Sequence, residues 1–282
     1  MFKTDPALQR MIKQVFPAAQ AVGSAASLQG LTGLTYRLEY DGHPLIARRQ
    51  PQAGQEIPGV NRQREYHLLR KLAADGLAPV PLGWKSPWLL LEWTPGENAA
   101  KMTAECFEQQ LLPLLCRLHR LPPVGSTLNL PALLWRYWQL CHPREKSARW
   151  LRQLKRLTRS GLPSGLRKSL LHLDIHRGNL LQTPQGLRLI DWEYAAEGDV
   201  ALELCMLRCG DVIASERWSF WLDSYAHAMS LNPGLLALKI ERWRPWVQLL
   251  MASWYSLRAS QSQDEALILL AREALLQIEQ EQ

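Results

Sequence analysis

A chain of 282 residues that is 47% hydrophobic can bury a substantial core, and its length suits one large domain or two lobes rather than a string of modules. Its 33 Lys and Arg against 26 Asp and Glu give a net charge of +7, yet no nucleic-acid motif accompanies the excess, and no apolar run approaches the roughly 20 residues that a membrane span needs. The 5 cysteines are an odd number without a paired framework, which excludes a disulfide scaffold; with no apolar signal core behind Met1 to Pro6, a reducing, cytoplasmic setting is expected.

In chain order, Thr4-Asp5-Pro6 opens a short helix to about Phe16, with Leu8, Met11, Ile12 and Val15 on one face. Leu34 to Tyr40 alternates apolar and polar side chains, Asp41-Gly42 makes a hairpin turn, and Leu45 to Arg49 returns. The polar loop from Pro51 to Gly59 leads into a helix over Asn61 to Leu72. Val80 to Trp84 and Trp88 to Trp93 read as two further strands, and Thr94-Pro95-Gly96 breaks the pattern. From there almost everything reads as helix: Thr103 to Leu121, then 131–141, 144–159, 200–209, 216–230, 234–259 and 264–280. The fold class is therefore α+β, a small sheet-rich lobe over 1–93 preceding a larger helical lobe over 94–282. Much of the positive charge falls in one helix, where Arg149, Arg152, Arg156 and Arg159 recur opposite Leu151, Leu154 and Leu157, the pattern of a solvated basic face. Cys205 and Cys209 share a helix face and suit core packing.

The exception to the helical run is the most informative segment. His172, Asp174 and Asn179 fit the H-x-D-x-x-x-x-N pattern of a kinase catalytic loop, in which the Asp takes the acceptor hydroxyl's proton and the Asn holds a metal. Leu180 to Gln182 and Leu187 to Ile190 are apolar runs joined by Thr-Pro-Gln-Gly, a β-hairpin that sets Asn179 roughly opposite Asp191. Opposed residues lie about 5 Å apart, so the two side chains can share one Mg²⁺ and leave its other positions to phosphates and water.

These motifs, the lobe order, Leu187 to Ala195 and Gly198 to Leu204 together resemble the aminoglycoside phosphotransferase and choline kinase family, over nearly the whole length. The resemblance implies a bilobal protein-kinase-like fold and an ATP-dependent, Mg²⁺-requiring kinase of small alcohols. Carried over by position, it makes Asp174 the catalytic base, with His172 bracing the loop, and Asn179 and Asp191 the metal ligands. Gly30, Gly33 and Thr35 fall in the phosphate-covering turn. Arg49 stands where protein kinases have a phosphate-contacting lysine, chosen over Arg48 because it lies two residues past Ala47. A guanidinium can fill that role bidentately. Glu65 is its expected ion-pair partner, with Glu56 as competitor, and Glu92 and Trp93 match the hinge that binds adenine.

Trp192, Glu193 and Tyr194 directly follow Asp191 and suit a cationic acceptor, since aromatic faces and a carboxylate attract a charged ring or quaternary ammonium. Thiamine, with its thiazolium, fits, and choline, another amino-alcohol or an aminoglycoside is the alternative. The expected partners are then this small molecule and ATP, with no nucleic acid or membrane, on a monomer. Two other classes stay open: His172, Asp174 and His176 as a metal-hydrolase cluster, which the hairpin argues against, and a nucleotide-binding module without catalysis.

Overall fold

The computed structural model describes residues 5–17, 22–27, 34–262 and 264–280. The first elements are helix α1 (Pro6–Val15), strands β1 (Val22–Ser27), β2 (Thr35–Tyr40) and β3 (His43–Arg49), helix α2 (Arg62–Leu72), and strands β4 (Pro81–Lys85), β5 (Trp88–Glu92) and β6 (Glu97–Asn98). There follow helices α3 (Ala104–Leu118), α4 (Leu130–Leu140) and α5 (Ala148–Ser160), strands β7 (Lys168–Leu171), β8 (Leu180–Thr183), β9 (Gly186–Leu189) and β10 (Ala196–Asp199), and helices α6 (Val200–Cys209), α7 (Ser215–Ala228), α8 (Pro233–Ser262) and α9 (Glu265–Gln280). The expected α+β class holds, a small sheet region preceding a larger helical part.

The chain divides into two compact units, Met1–Lys101 with Arg177–Ala195, and Met102–His176 with Ala196–Gln282. Whereas the sequence suggests a contiguous boundary after residue 93, the hairpin of β8 and β9 groups with the first unit. Its ties are local and specific. Strand β6 pairs with β8, the Leu189 N–H donates to the Leu77 carbonyl at 3.2 Å, and Arg188 Nε donates to the Gly76 carbonyl at 3.1 Å. Gly96 permits the approach, because a Cβ there would stand 2.8 Å from the Gln182 carbonyl oxygen.

In the first unit a sheet in the order β1-β2-β3-β5-β4 is antiparallel at each pairing. Alternation along β3 sends Leu45 and Ala47 into a core with Leu8, Met11, Ile12, Leu38, Tyr40, Trp88 and Leu90, so α1 covers one face of the sheet. Side chains at even positions of β3 point the other way. Asp5 caps α1, accepting from the Ala7 N–H at 2.8 Å, and also accepts from Trp88 Nε1 at 3.0 Å, which pins the helix to β5.

The second unit is mainly helical, with the two-stranded β7–β10 pair. In α5, Trp150, Leu154 and Leu157 are buried while Arg149, Arg152, Arg156 and Arg159 are exposed, the arrangement that its amphipathic spacing predicts. Cys205 and Cys209 lie with sulfurs 4.0 Å apart along one face of α6. Among the described residues no helix is long and apolar enough to cross a membrane.

Candidate active site

In the first unit, the hairpin pairs Leu180 with Leu189 and Thr183 with Gly186. Asn179 therefore faces Ile190, whose N–H donates to the Asn179 carbonyl at 3.0 Å, and Asp191 stands one residue beyond the directly opposed position. Both residues remain at the open end of the hairpin. Asn179 is buried, the Asp191 side chain is 34% exposed, and Asp191 adopts a left-handed backbone, φ 65°. An amide oxygen and a carboxylate at one end of a hairpin form a hard donor set suited to Mg²⁺, so the residues present fit that ion.

Arg48 links the hairpin to the sheet. Its guanidinium contacts Glu65 through Nη1 and Asp191 through Nη2, and Nη2 also donates to Glu193 Oε2 at 2.7 Å. Burial opposes the charge of Arg48, but Asp191, Glu65 and Glu193 together hold its pKa above the ordinary arginine value. Its Nε has no acceptor among the described residues, leaving a buried donor for an anion such as phosphate. Arg49, the residue expected in this role, lies on another face of the sheet from Glu65. Arg49 shares its face of β3 with Ala47, toward α1, and its guanidinium lies 5.7 Å from the Trp88 ring centre. Arg48 is on the opposite face, where Glu65 of α2 waits. Glu65 is thus an arginine partner as expected, but of Arg48 rather than Arg49, while Glu56 accepts from the Gly54 N–H.

Trp192 and Glu193, expected beside the acceptor, are both buried. Trp192 is 1% exposed and donates Nε1 to the Leu189 carbonyl at 3.1 Å, which makes it a core side chain. Glu193 is 2% exposed and paired with both Arg48 and Arg62, so its charge is already used. Burial raises its pKa, as does Asp191, against the lowering effect of the two arginines. Tyr194 alone of the three is partly exposed. At the two residues expected to form the hinge, the Glu92 N–H donates to the Val80 carbonyl at 2.9 Å and the Trp93 N–H to the Pro44 carbonyl at 3.3 Å. Those two amides are engaged in the sheet, so a donor to adenine is not found in them. Thr35 begins β2 and pairs in register with Arg48, whereas Gly30 and Gly33 lie outside the described residues.

In the second unit, β7 delivers His172 to Asp174 into a loop. His172 is fully buried and the Asp174 side chain is 36% exposed, with His176 Nε2 at 3.9 Å from its carboxylate. Leu173 between them takes a left-handed backbone, φ 63°, and its N–H donates to Glu203 Oε1 at 2.6 Å. Glu203 Oε2 meets His119 Nε2 at 2.8 Å, and His119 Nδ1 meets the Tyr225 hydroxyl at 2.7 Å. A carboxylate only accepts, so His119 donates to it through Nε2. Burial, the charge next of Cys116 and then of Glu203 push the Tyr225 hydroxyl above the ordinary tyrosine range, which keeps it protonated. On α8, Tyr255 is partly exposed, and burial followed by the charge of Asp174 raises its pKa. Among the described residues no group of three His, Cys, Asp or Glu side chains is arranged to hold a metal, so the hydrolase cluster lacks a ligand set.

Sequence reasoning did not single out Arg62, Glu203, His119 or Tyr225. Two signals were present: Arg62 and Glu65 stand three apart on α2, and Glu203 is the lone acid in the apolar helix α6.

Comparison with known proteins gives a consistent assignment. The thiamine kinases of Salmonella dublin and Salmonella typhimurium are each 35% identical over 275 residues, covering 97% of this chain and 94% of theirs. Among solved structures, the choline kinase LicA from Streptococcus pneumoniae superposes with a TM-score of 0.73 at 18% identity, over 97% of this chain and 99% of that one. The APH(2")-IIa protein in its gentamicin complex gives 0.67 at 15% identity, over 98% and 97%. These two likenesses show the protein-kinase-like fold. Residues 27–246 match the profile of the phosphotransferase enzyme family. The chain belongs to that family, and it is a phosphotransferase acting on a hydroxyl-type acceptor.

Proposed function

We propose that this enzyme transfers the γ-phosphoryl group of ATP to the hydroxyethyl oxygen of thiamine, giving thiamine monophosphate; its 35%-identical relatives carry the name thiamine kinase. The observation that carries the ATP half is the joining of Arg48 to Glu65 and Asp191 at once, which supports a strand arginine, a helix glutamate and a hairpin aspartate acting on one polyanion. The acceptor half rests on the relatives.

In this reading Asp174 orients the acceptor hydroxyl and receives its proton late in the transfer, on a carboxylate oxygen. A free alcohol is a poor nucleophile, and phosphoryl transfer through a loose transition state needs positioning more than strong base catalysis. Asn179 and Asp191 would hold Mg²⁺, which when bound neutralises charge on the phosphates. Arg48 would contribute its guanidinium charge to the phosphates, and its buried Nε has no acceptor among the described residues. His172 is buried at the root of the loop and holds its shape. The aromatic side chains of Trp254 and Tyr255, set edge to face at 5.3 Å on α8, replace Trp192 as candidates for contact with the thiazolium, because Tyr255 feels the charge of Asp174.

The test is direct: purified protein with Mg²⁺-ATP is offered thiamine, choline, ethanolamine and an aminoglycoside, and phosphorylated product is separated and measured. Thiamine should be consumed in preference by a wide margin. Turnover of another acceptor with thiamine untouched would remove the substrate assignment while keeping the kinase.

A further inference from the structure

The carboxylates around Arg48 are held by a second arginine. Arg62 is 0% exposed; its Nη1 lies 2.7 Å from Glu65 Oε2 and 2.7 Å from Glu193 Oε2, the same two glutamates that Arg48 contacts. Arg48, Glu65, Arg62 and Glu193 therefore close a ring of alternating charge, with Asp191 attached at Arg48. Arg62 is itself fixed by the backbone. Its Nε donates to the Arg49 carbonyl at 3.2 Å, and its N–H donates to Gln50 Oε1 at 2.8 Å.

This ring has a consequence for anion binding. If Arg48 were the sole cation beside Glu65 and Glu193, turning it toward a phosphate would strand two buried carboxylates, at a high electrostatic cost. With Arg62 bridging both, each glutamate retains a cationic partner when Arg48 moves. Removing Arg62 would instead leave Arg48 held by three carboxylates.

We infer that Arg62 is a positioning residue for the nucleotide site, releasing Arg48 to bind phosphate by keeping Glu65 and Glu193 paired. This rests on the kinase reading above, in which Arg48 contacts ATP. Arg62 touches no substrate in this scheme and acts only through the ring.

The experiment measures equilibrium binding of a nonhydrolysable ATP analogue to the full chain by calorimetry, together with the melting temperature of each variant. The wild type comes first: no binding there would overturn the kinase reading itself. With binding established, Arg62→Met should weaken it by about tenfold or more, since the cluster gains one unit of uncompensated negative charge. Glu193→Gln should tighten it by about threefold, because a competitor for Arg48 has lost its charge. Combining the two should restore the analogue affinity toward the wild-type value, although the packing of Arg62 is still missing. A structural role alone would lower the melting temperature without this opposed pattern. Unchanged affinity in folded Arg62→Met would overturn the inference. Should that variant not fold, Glu193→Gln decides alone, and affinity equal to or weaker than wild type would overturn it.

Discussion

Leu173 and Glu203 are joined by a hydrogen bond of 2.6 Å from the Leu173 backbone N–H to a buried carboxylate oxygen, at a residue whose φ is 63°. A left-handed conformation at a leucine costs on the order of 1–3 kcal/mol, and a charge-assisted bond to that same residue's amide offsets it. The bond therefore sets the direction in which the next residue, Asp174, leaves the strand. His119 and Tyr225 extend the support by holding the other oxygen of Glu203.

Glu203→Gln should accordingly lower stability by about 1–3 kcal/mol, since an amide cannot accept from both Leu173 and His119. A loop displaced by a fraction of an ångström should also reduce kcat by up to about 100-fold with the KM for ATP nearly unchanged. Steady-state kinetics beside thermal melts check both. A drop in KM-dependent terms alone, with kcat intact, would detach this network from the loop's function.

Replacing Asp174 by Asn removes the proposed proton acceptor but preserves shape and hydrogen bonding. Turnover should fall by about 10²–10⁴-fold while the affinity for a nonhydrolysable ATP analogue stays within a factor of about two. Single-turnover phosphoryl transfer and calorimetric binding give the two numbers. Near-normal turnover would exclude Asp174 as the base.

Arg48 and Arg49 offer a sharper contrast because they are adjacent. Arg48→Met should weaken nucleotide binding by roughly 10- to 100-fold, the loss of one or two charge-assisted contacts, whereas Arg49→Met should change it by less than about threefold. The opposite order would restore Arg49 to the phosphate site. The contrast also shows where sequence reading runs out. Strands β2 to β5, the helices, the β8–β9 hairpin and the spacing of Asp174, Asn179 and Asp191 are legible, because periodicity, turn chemistry and motif spacing are local properties, whereas β1, β6, β7 and β10 are short pieces whose pairing is long-range and leaves no such local pattern. Which of two neighbouring arginines faces α2 depends on which face of β3 the helix α1 covers, and that is a tertiary fact. A motif offset counted from Ala47 selects the face of β3 turned away from Glu65. Trp192 and Glu193 fail in the same way: their residue types suit a cation, but burial against Leu189, Arg48 and Arg62 had committed them already.

Tyr255 carries a prediction for the acceptor. Tyr255→Ala should raise the KM of the proposed thiamine substrate by about 3- to 30-fold, the range expected for one desolvated aromatic contact with a cation, with the KM for ATP unchanged. Tyr255→Phe keeps the ring and should behave nearly as the wild type. Equal effects of Tyr255→Ala on both substrates would indicate a packing defect at the α8–α9 contact, where Tyr255 lies against Ala259, Leu267 and Ala271.

The last prediction concerns the tie between α1 and the sheet. Asp5 accepts from the Ala7 N–H and from Trp88 Nε1, and these bonds, in that order, hold its pKa below the ordinary aspartate value of 3.8. A carboxyl whose pKa is depressed on folding stabilises the protein fully above its unfolded pKa, and that contribution is lost as pH falls through the lower, folded value. Asp5→Ala should thus cost about 1 kcal/mol near neutral pH, as for other helix N-caps, and lower the melting temperature of the first unit by a few degrees. The difference between wild type and variant should stay constant from neutral pH down to about 5, then shrink as the wild-type carboxyl becomes protonated below about pH 4. Melting curves of both proteins across that range, followed by the fluorescence of buried tryptophan, measure the difference. A gap that widens with acid would mean that the protonated side chain is the better cap, and would reverse the assignment of Asp5 as an ionised acceptor shared by α1 and β5.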